Sequence, residues 1–131
     1  MKVDREGLRK LVRVTLDHEE ENRTWVGEFQ REDGSNDDEL NDWIKQELQD
    51  GNPWAWCTAH VTVELGELKG EDWLGGCSYK SKEDFIAGGY YDSMVAEACD
   101  ELAKDLEKLV NMHGLFEHDK ITCLWCAAEP L

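Results

Sequence analysis

Between Pro53 and Gly66 the chain alternates without a break. Ala55, Cys57, Ala59, Val61, Val63 and Leu65 are small or apolar, and Trp54, Trp56, Thr58, His60, Thr62 and Glu64 interleave with them. Period two over this length is the pattern of a β-strand with one buried face. The odd-numbered side chains are small enough to lie under a helix. The even-numbered face carries two indoles at one end and polar groups at the other. If no second layer covers it, Trp54 and Trp56 become the apolar centre of a binding surface.

The neighbouring segments organise around this strand. Residues 66–70 (GELKG) predict a hairpin loop, and residues 71–79 return as a strand carrying Trp73, Leu74, Cys77 and Tyr79, with Gly75-Gly76 marking a bulge or a close backbone approach. Upstream, Val12, Val14 and Leu16 predict a first strand over residues 8–17. Trp25, Gly27 and Phe29 predict a second over residues 24–30, joined to it through the acidic turn at Glu19 to Glu21. Asn36 with Glu39 resembles a capping box opening a helix over residues 37–50, whose Leu40, Trp43, Ile44 and Leu48 share one face and which Gly51 stops.

Ser81 with Asp84 repeats the capping signature before a short helix over residues 83–87, which Gly88-Gly89 interrupts. A long helix follows through Tyr91, Met94, Val95, Ala98, Leu102, Leu106, Leu109 and Val110, with Gly114 as its stop. Residues 120–127 (KITCLWCA) predict a last strand. The expected fold is a single α+β domain over residues 1–131. Its mainly antiparallel sheet has about five strands in the order ββαββαβ, with two principal helices packed on one face.

Charge bears on function more than composition does. The 131 residues carry 14 Lys and Arg against 30 Asp and Glu, a formal net charge of -16. Thirteen of the acids fall in residues 17–50 and ten in residues 83–119, flanking a nearly neutral centre. Such a surface repels nucleic acid and anionic membrane, and only Arg5, Arg9, Lys10 and Arg13 cluster as a phosphate-binding site would need. Neither a signal-type leader nor a membrane-length apolar run is evident, and five cysteines at irregular spacing suit free thiols, so a cytoplasmic location is expected.

Few residues offer chemistry. Cys57 and His60 (CTAH) with Cys123 and Cys126 (CLWC) make a Cys3His set of the kind zinc prefers. Both pairs lie in strand-like segments, however, where residues three apart point to opposite faces. The second pair as a redox dithiol lacks the following helix that lowers a thiol pKa. Cys77 or Ser78 with His60 and a carboxylate could be drawn as a triad, without any nucleophile-elbow pattern to support it. Gly75-Gly76 and Gly88-Gly89 lack the Lys-Ser/Thr of a phosphate loop. No cofactor is expected, and no catalytic residue is assigned.

The favoured reading inverts the charge argument: an acidic domain can present carboxylates in place of phosphates to a basic nucleic-acid-binding surface. The candidate partner-binding residues are Asp37, Asp38, Glu39, Asp42, Glu47 and Asp50 on the first helix. On the long helix they are Glu97, Asp100, Glu101 and Asp105, with Asp92 and Glu107 on the same exposed side.

The succession NPWAWC, LGGCSY, EDF, GGYY and Met94, over residues 52–94, resembles a pattern of small uncharacterised proteins encoded by bacteriophages and prophages. That resemblance brings no catalytic or ligand residue with it. It implies a mobile-element origin and a place in the bacterial host cytoplasm. Small acidic proteins of such elements are often inhibitors of host nucleic-acid machinery, including restriction and CRISPR systems. The expectation is therefore a non-enzymatic inhibitor or interaction protein, with a small structural zinc module as the alternative.

Overall fold

The computed structural model describes residues 2–26 and 28–115. In chain order the elements are α1 (Arg5–Leu11), β1 (Arg13–Glu19), α2 (Asp38–Gln49), a 3-10 turn (Pro53–Ala55), β2 (Cys57–Leu65), β3 (Leu68–Cys77), α3 (Lys82–Ala87) and α4 (Tyr90–Leu115). The fold is α+β, and β2 is the central strand of a three-stranded antiparallel sheet in the order β1-β2-β3.

Register follows the alternation. Val14, Leu16 and His18 pair with Val63, Val61 and Ala59, which in turn face Gly70, Asp72 and Leu74. This side lies under α4, and Ala59, Val61, Val63, Val95, Ala98 and Leu102 of the shared core are fully buried. Gly70 makes the contact possible, because a Cβ built there would lie 1.9 Å from the Ala98 carbonyl oxygen. α1 and α3 flank α4, whereas α2 packs chiefly on the 3-10 turn, so the helical layer over the sheet is α4 with its short neighbours rather than α2 and α4.

Four expectations need correction. Residues 8–11 are helical: Leu8 and Leu11 have helical spacing, the Asp4 carboxylate accepts from the Glu6 amide at 3.2 Å, and extended backbone begins only at Val12. Residues 24–26 and 28–30 form turns and bends instead of a second strand. Their hydrogen bonds are local, with the Glu28 amide donating to the Trp25 carbonyl (3.1 Å) and a single bridge joining Gln30 to Asn36. β1 gains more from β2, which buries Leu16 beside Val61, than from a segment whose Val26 stays 62% exposed. The order ββαββαβ is thus not observed among the described residues.

The third correction concerns Trp54, which belongs to the 3-10 turn and not to the strand and packs in the core, whereas Trp56 keeps extended backbone just before β2 and is covered by Phe29 and the Arg23 carbonyl; both indoles are buried. They form no binding surface. The last is that Gly114 does not stop the long helix, which continues to Leu115. The strand expected at residues 120–127 lies outside the described residues.

Two smaller details also shift: the loop expected over residues 66–70 shortens to Gly66 and Glu67, with Leu68, Lys69 and Gly70 already in β3, and the cap of α2 is Asp37 rather than Asn36; other local expectations hold. The β2–β3 hairpin closes through Gly66 and Glu67 alone, with Gly66 at φ 61 as a type II′ turn requires at its first central position. Gly51, at φ 94, ends α2 in a Schellman arrangement: its amide donates to the Leu48 carbonyl (3.2 Å), and the Asn52 amide donates to that of Glu47 (2.8 Å). Cys57 pairs with Cys77 but Ala59 with Leu74, which places Gly75 and Gly76 together opposite Thr58 as the expected bulge.

The motif residues at 52–94 serve packing. The Asn52 side chain accepts from the Trp54 amide (3.1 Å) and donates to the Tyr79 and Lys80 carbonyls (3.3 and 3.1 Å), tying the start of β2 to the end of β3. Trp54 packs on Phe85 at 5.3 Å between ring centroids, and Tyr79 meets Phe85 edge-on at 5.0 Å. Trp56 donates its indole N–H to the Arg23 carbonyl at 2.8 Å.

Candidate partner-binding surface

α2 forms because Asp37 caps it, accepting from the Leu40 amide at 3.1 Å, while Asp38 and Glu39 sit at the positive end of the helix dipole. Ile44 is fully buried, and Leu40, Trp43 and Leu48 are half-buried around it. The acids therefore divide by task. Asp37 is occupied as the cap, and Asp50 accepts from the Gln46 amide nitrogen at 3.0 Å. Asp38, Glu39 and Asp42 are exposed and Glu47 is half-buried, and none of these four is in an ion pair among the described residues.

α4 divides the same way. Glu97, Glu101 and Asp105 recur at i, i+4, i+8 as an exposed row, in which, among the described residues, only Asp105 has a basic partner, Lys108 at 4.0 Å. Adjacent members of that row are about 6 Å apart along the axis.

The other flank of α4 is neutralised from within. Arg5 bonds Glu107 and lies 3.2 Å from Asp100, Lys104 meets Asp100 at 2.9 Å, and Arg9 reaches Asp92 at 3.4 Å. The Lys104 ammonium, and then Arg5, hold the Asp100 carboxyl below its ordinary range, and Arg5 does the same for Glu107. Arg5 and Arg9 of the basic cluster seen in the sequence thus dock α1 on α4. Asp92, Asp100 and Glu107 are less available to a partner than Glu97, Glu101 and Asp105.

Glu21 is the group that the sequence did not single out. Its side chain is only 7% exposed, pairs with Arg23 at 2.8 Å, accepts from the Thr58 hydroxyl and accepts from the Gly76 amide at 3.2 Å. The Arg23 guanidinium first, then Thr58, hold its carboxyl down at about 2 against burial. One carboxylate therefore satisfies the backbone that the bulge frees from the ladder. The only sequence signal was the Gly75-Gly76 bulge itself, which leaves an amide in need of an acceptor.

His60 stands on the sheet face away from α4. Its Nδ1 is 2.8 Å from Glu19 and its Nε2 is 3.3 Å from Glu71 and from the Thr62 hydroxyl. Trp73 stacks on the imidazole at 4.6 Å with the planes 10° apart.

The remaining constellations do not assemble. Cys57 is 1% exposed on the core face opposite to His60 and pairs across to Cys77, and burial pushes its thiol up to about 12. Cys123 and Cys126 lie outside the described residues, among which no group of three or more His, Cys, Asp or Glu could hold a metal. Cys77 shares the core face with Cys57, so it does not meet His60, and the Ser78 hydroxyl has no hydrogen-bond partner among the described residues. No described helix is long and apolar enough to cross a membrane. Comparison with family models, curated proteins and solved structures finds no match to this chain.

Proposed function

We propose that this chain is a non-enzymatic binding protein that occupies a basic, nucleic-acid-binding surface of another protein by charge mimicry. The observation that carries the reading is the pair of exposed acidic rows: Asp38, Glu39 and Asp42 on α2, none of them in an ion pair among the described residues, and Glu97, Glu101 and Asp105 on α4, of which Asp105 alone meets a base there. Clustered like-charged carboxylates cost stability through self-repulsion. A basic partner removes that repulsion and gains the steering that a nucleic acid would gain. With the phage-like pattern of residues 52–94, the natural partner class is a host nucleic-acid-handling complex, such as a restriction or CRISPR effector in the bacterial cytoplasm.

The test is affinity capture from bacterial lysate across a salt series, followed by competition with duplex DNA or RNA for the captured protein. The reading expects capture that weakens steeply with salt, is displaced by nucleic acid, and is lost in the variants D38N/E39Q/D42N and E97Q/E101Q/D105N. Salt-insensitive capture, or partners that nucleic acid does not displace, refutes it.

A further inference from the structure

The geometry points to the outer face of the sheet, around Trp73, as a docking site for an arginine-bearing surface of a protein partner; this rests on the proposed basic partner and names where it is gripped. α4 covers one side of the sheet, and on the other Thr15, Asp17 and Glu19 of β1 and Trp73 of β3 are exposed. Asp17, His60 and Trp73 lie in one cross-strand row, flanked by Glu19 and by Glu71. Trp73 is 49% exposed, among the most exposed large apolar side chains described, and it is held in place because the imidazole is stacked on it.

A rigid, half-exposed indole ringed by carboxylates suits a particular occupant. The indole face attracts a cation, and a planar guanidinium can stack on it while its N–H fork reaches a carboxylate on either side. An ammonium is a point charge that gains less from the plane. Glu19 and Glu71 are already oriented by His60, so little side-chain freedom remains to be lost on binding. Of the bases on this face, Arg13 and Lys69 are the ladder partners of Glu64 toward its other end, and the Lys69 ammonium reaches back to Glu71 at 3.4 Å, so a guanidinium shares Glu71 with Lys69, whereas Asp17 and Glu19 have no Lys or Arg partner among the described residues.

The test uses hexa-arginine and hexa-lysine peptides against the full chain at low ionic strength. The readouts are the affinity and the indole N–H resonance of Trp73, assigned by its loss in Trp73→Phe. Hexa-arginine is expected to shift that resonance, and Trp73→Ala to weaken its binding about two- to fivefold, with a smaller effect on hexa-lysine. Glu71→Gln, which leaves the indole in place, should weaken it likewise, and this keeps the test valid should Trp73→Ala unfold. If hexa-arginine binds but Trp73→Ala and Glu71→Gln match the parent while the α2 and α4 variants lose affinity, the docking site is refuted and charge mimicry by the helices stands. Absence of hexa-arginine binding to the parent overturns both.

Discussion

Gly70→Ala isolates the contact between sheet and helix on which the fold depends. The added Cβ would sit 1.9 Å from the Ala98 carbonyl oxygen, 2.9 Å from the Ala98 carbonyl carbon and 3.0 Å from the Leu102 nitrogen. These are backbone atoms, so no side-chain rotation relieves the clash. Opening the shortest contact to even 3.0 Å moves α4 off β3 by about 1.1 Å, the difference between the two distances. A gap of that size forfeits up to about half of the dispersion well of each contact it opens. With Val61, Val63, Val95 and Leu102 beside it, the cost falls at the upper end of overpacking penalties, about 3 kcal/mol. For a chain of this length that lowers Tm by on the order of 10 °C. Thermal unfolding by circular dichroism measures it, with Gly66→Ala as comparison: that glycine has φ +61 and open space around it, so it pays only the backbone cost of about 1–2 kcal/mol. Ala98→Gly should not rescue Gly70→Ala. Rescue by Ala98→Gly, or a Gly70→Ala loss no larger than that of Gly66→Ala, refutes the close approach.

Three further outcomes are expected. Glu21, held at about 2 in the fold against an ordinary 4.5, contributes stability that is complete above about pH 4.5 and is lost as pH falls toward 2; Glu21→Gln should therefore be less stable than the parent near neutrality, with the difference shrinking through that window in acid-titrated thermal melts. Asn52→Ala removes three hydrogen bonds that hold Trp54, Tyr79 and Lys80 together, at a cost of about 1–3 kcal/mol, read as a lower urea midpoint; an unchanged midpoint denies the tie. Cys57, Cys77 and Cys99 are buried and should resist thiol-specific labelling in the native chain and react once it is unfolded, as mapped by mass spectrometry of peptides; native labelling at Cys57 contradicts the described core.

What the sequence made legible was local periodicity and punctuation. The alternation of residues 57–65, the capping residues of α3, the apolar face of α2, the bulge at Gly75-Gly76 and the spacing of α4 are each decided by neighbours along the chain, and each was readable. The partner of β1 was not. The alternation of Val14 and Leu16 says that a strand buries one face but not against what, and the nearest candidate at residues 24–30 lost to β2 through burial that only the fold reveals. Trp54 misled because alternation was extended into the 3-10 turn that Asn52 and Pro53 impose, and Trp56 because its cover, Phe29 and the Arg23 carbonyl, comes from a segment distant in the chain. Among the acids, sequence gave the inventory but not the division of labour. That Arg5 consumes Asp100 and Glu107 while Glu97 and Glu101 stay free depends on a contact across nearly the whole described chain.

The ladder also sets an order of assembly. β2 and β3 are joined by a turn of two residues and can meet within microseconds, and α4 follows them in the chain after the short α3. β1 is different: to pair Glu19 with Thr58 it must close the whole span from residue 20 to residue 57, an entropic toll of about 3 kcal/mol in chain freedom. The carboxylate of Glu21, clasping Thr58 and Gly76 at the mouth of that span, works as the clasp that keeps it shut. The amino-terminal quarter is then the last part to join and the first to leave, and amide exchange should show β1 opening while the β2–β3 hairpin stays closed beneath α4.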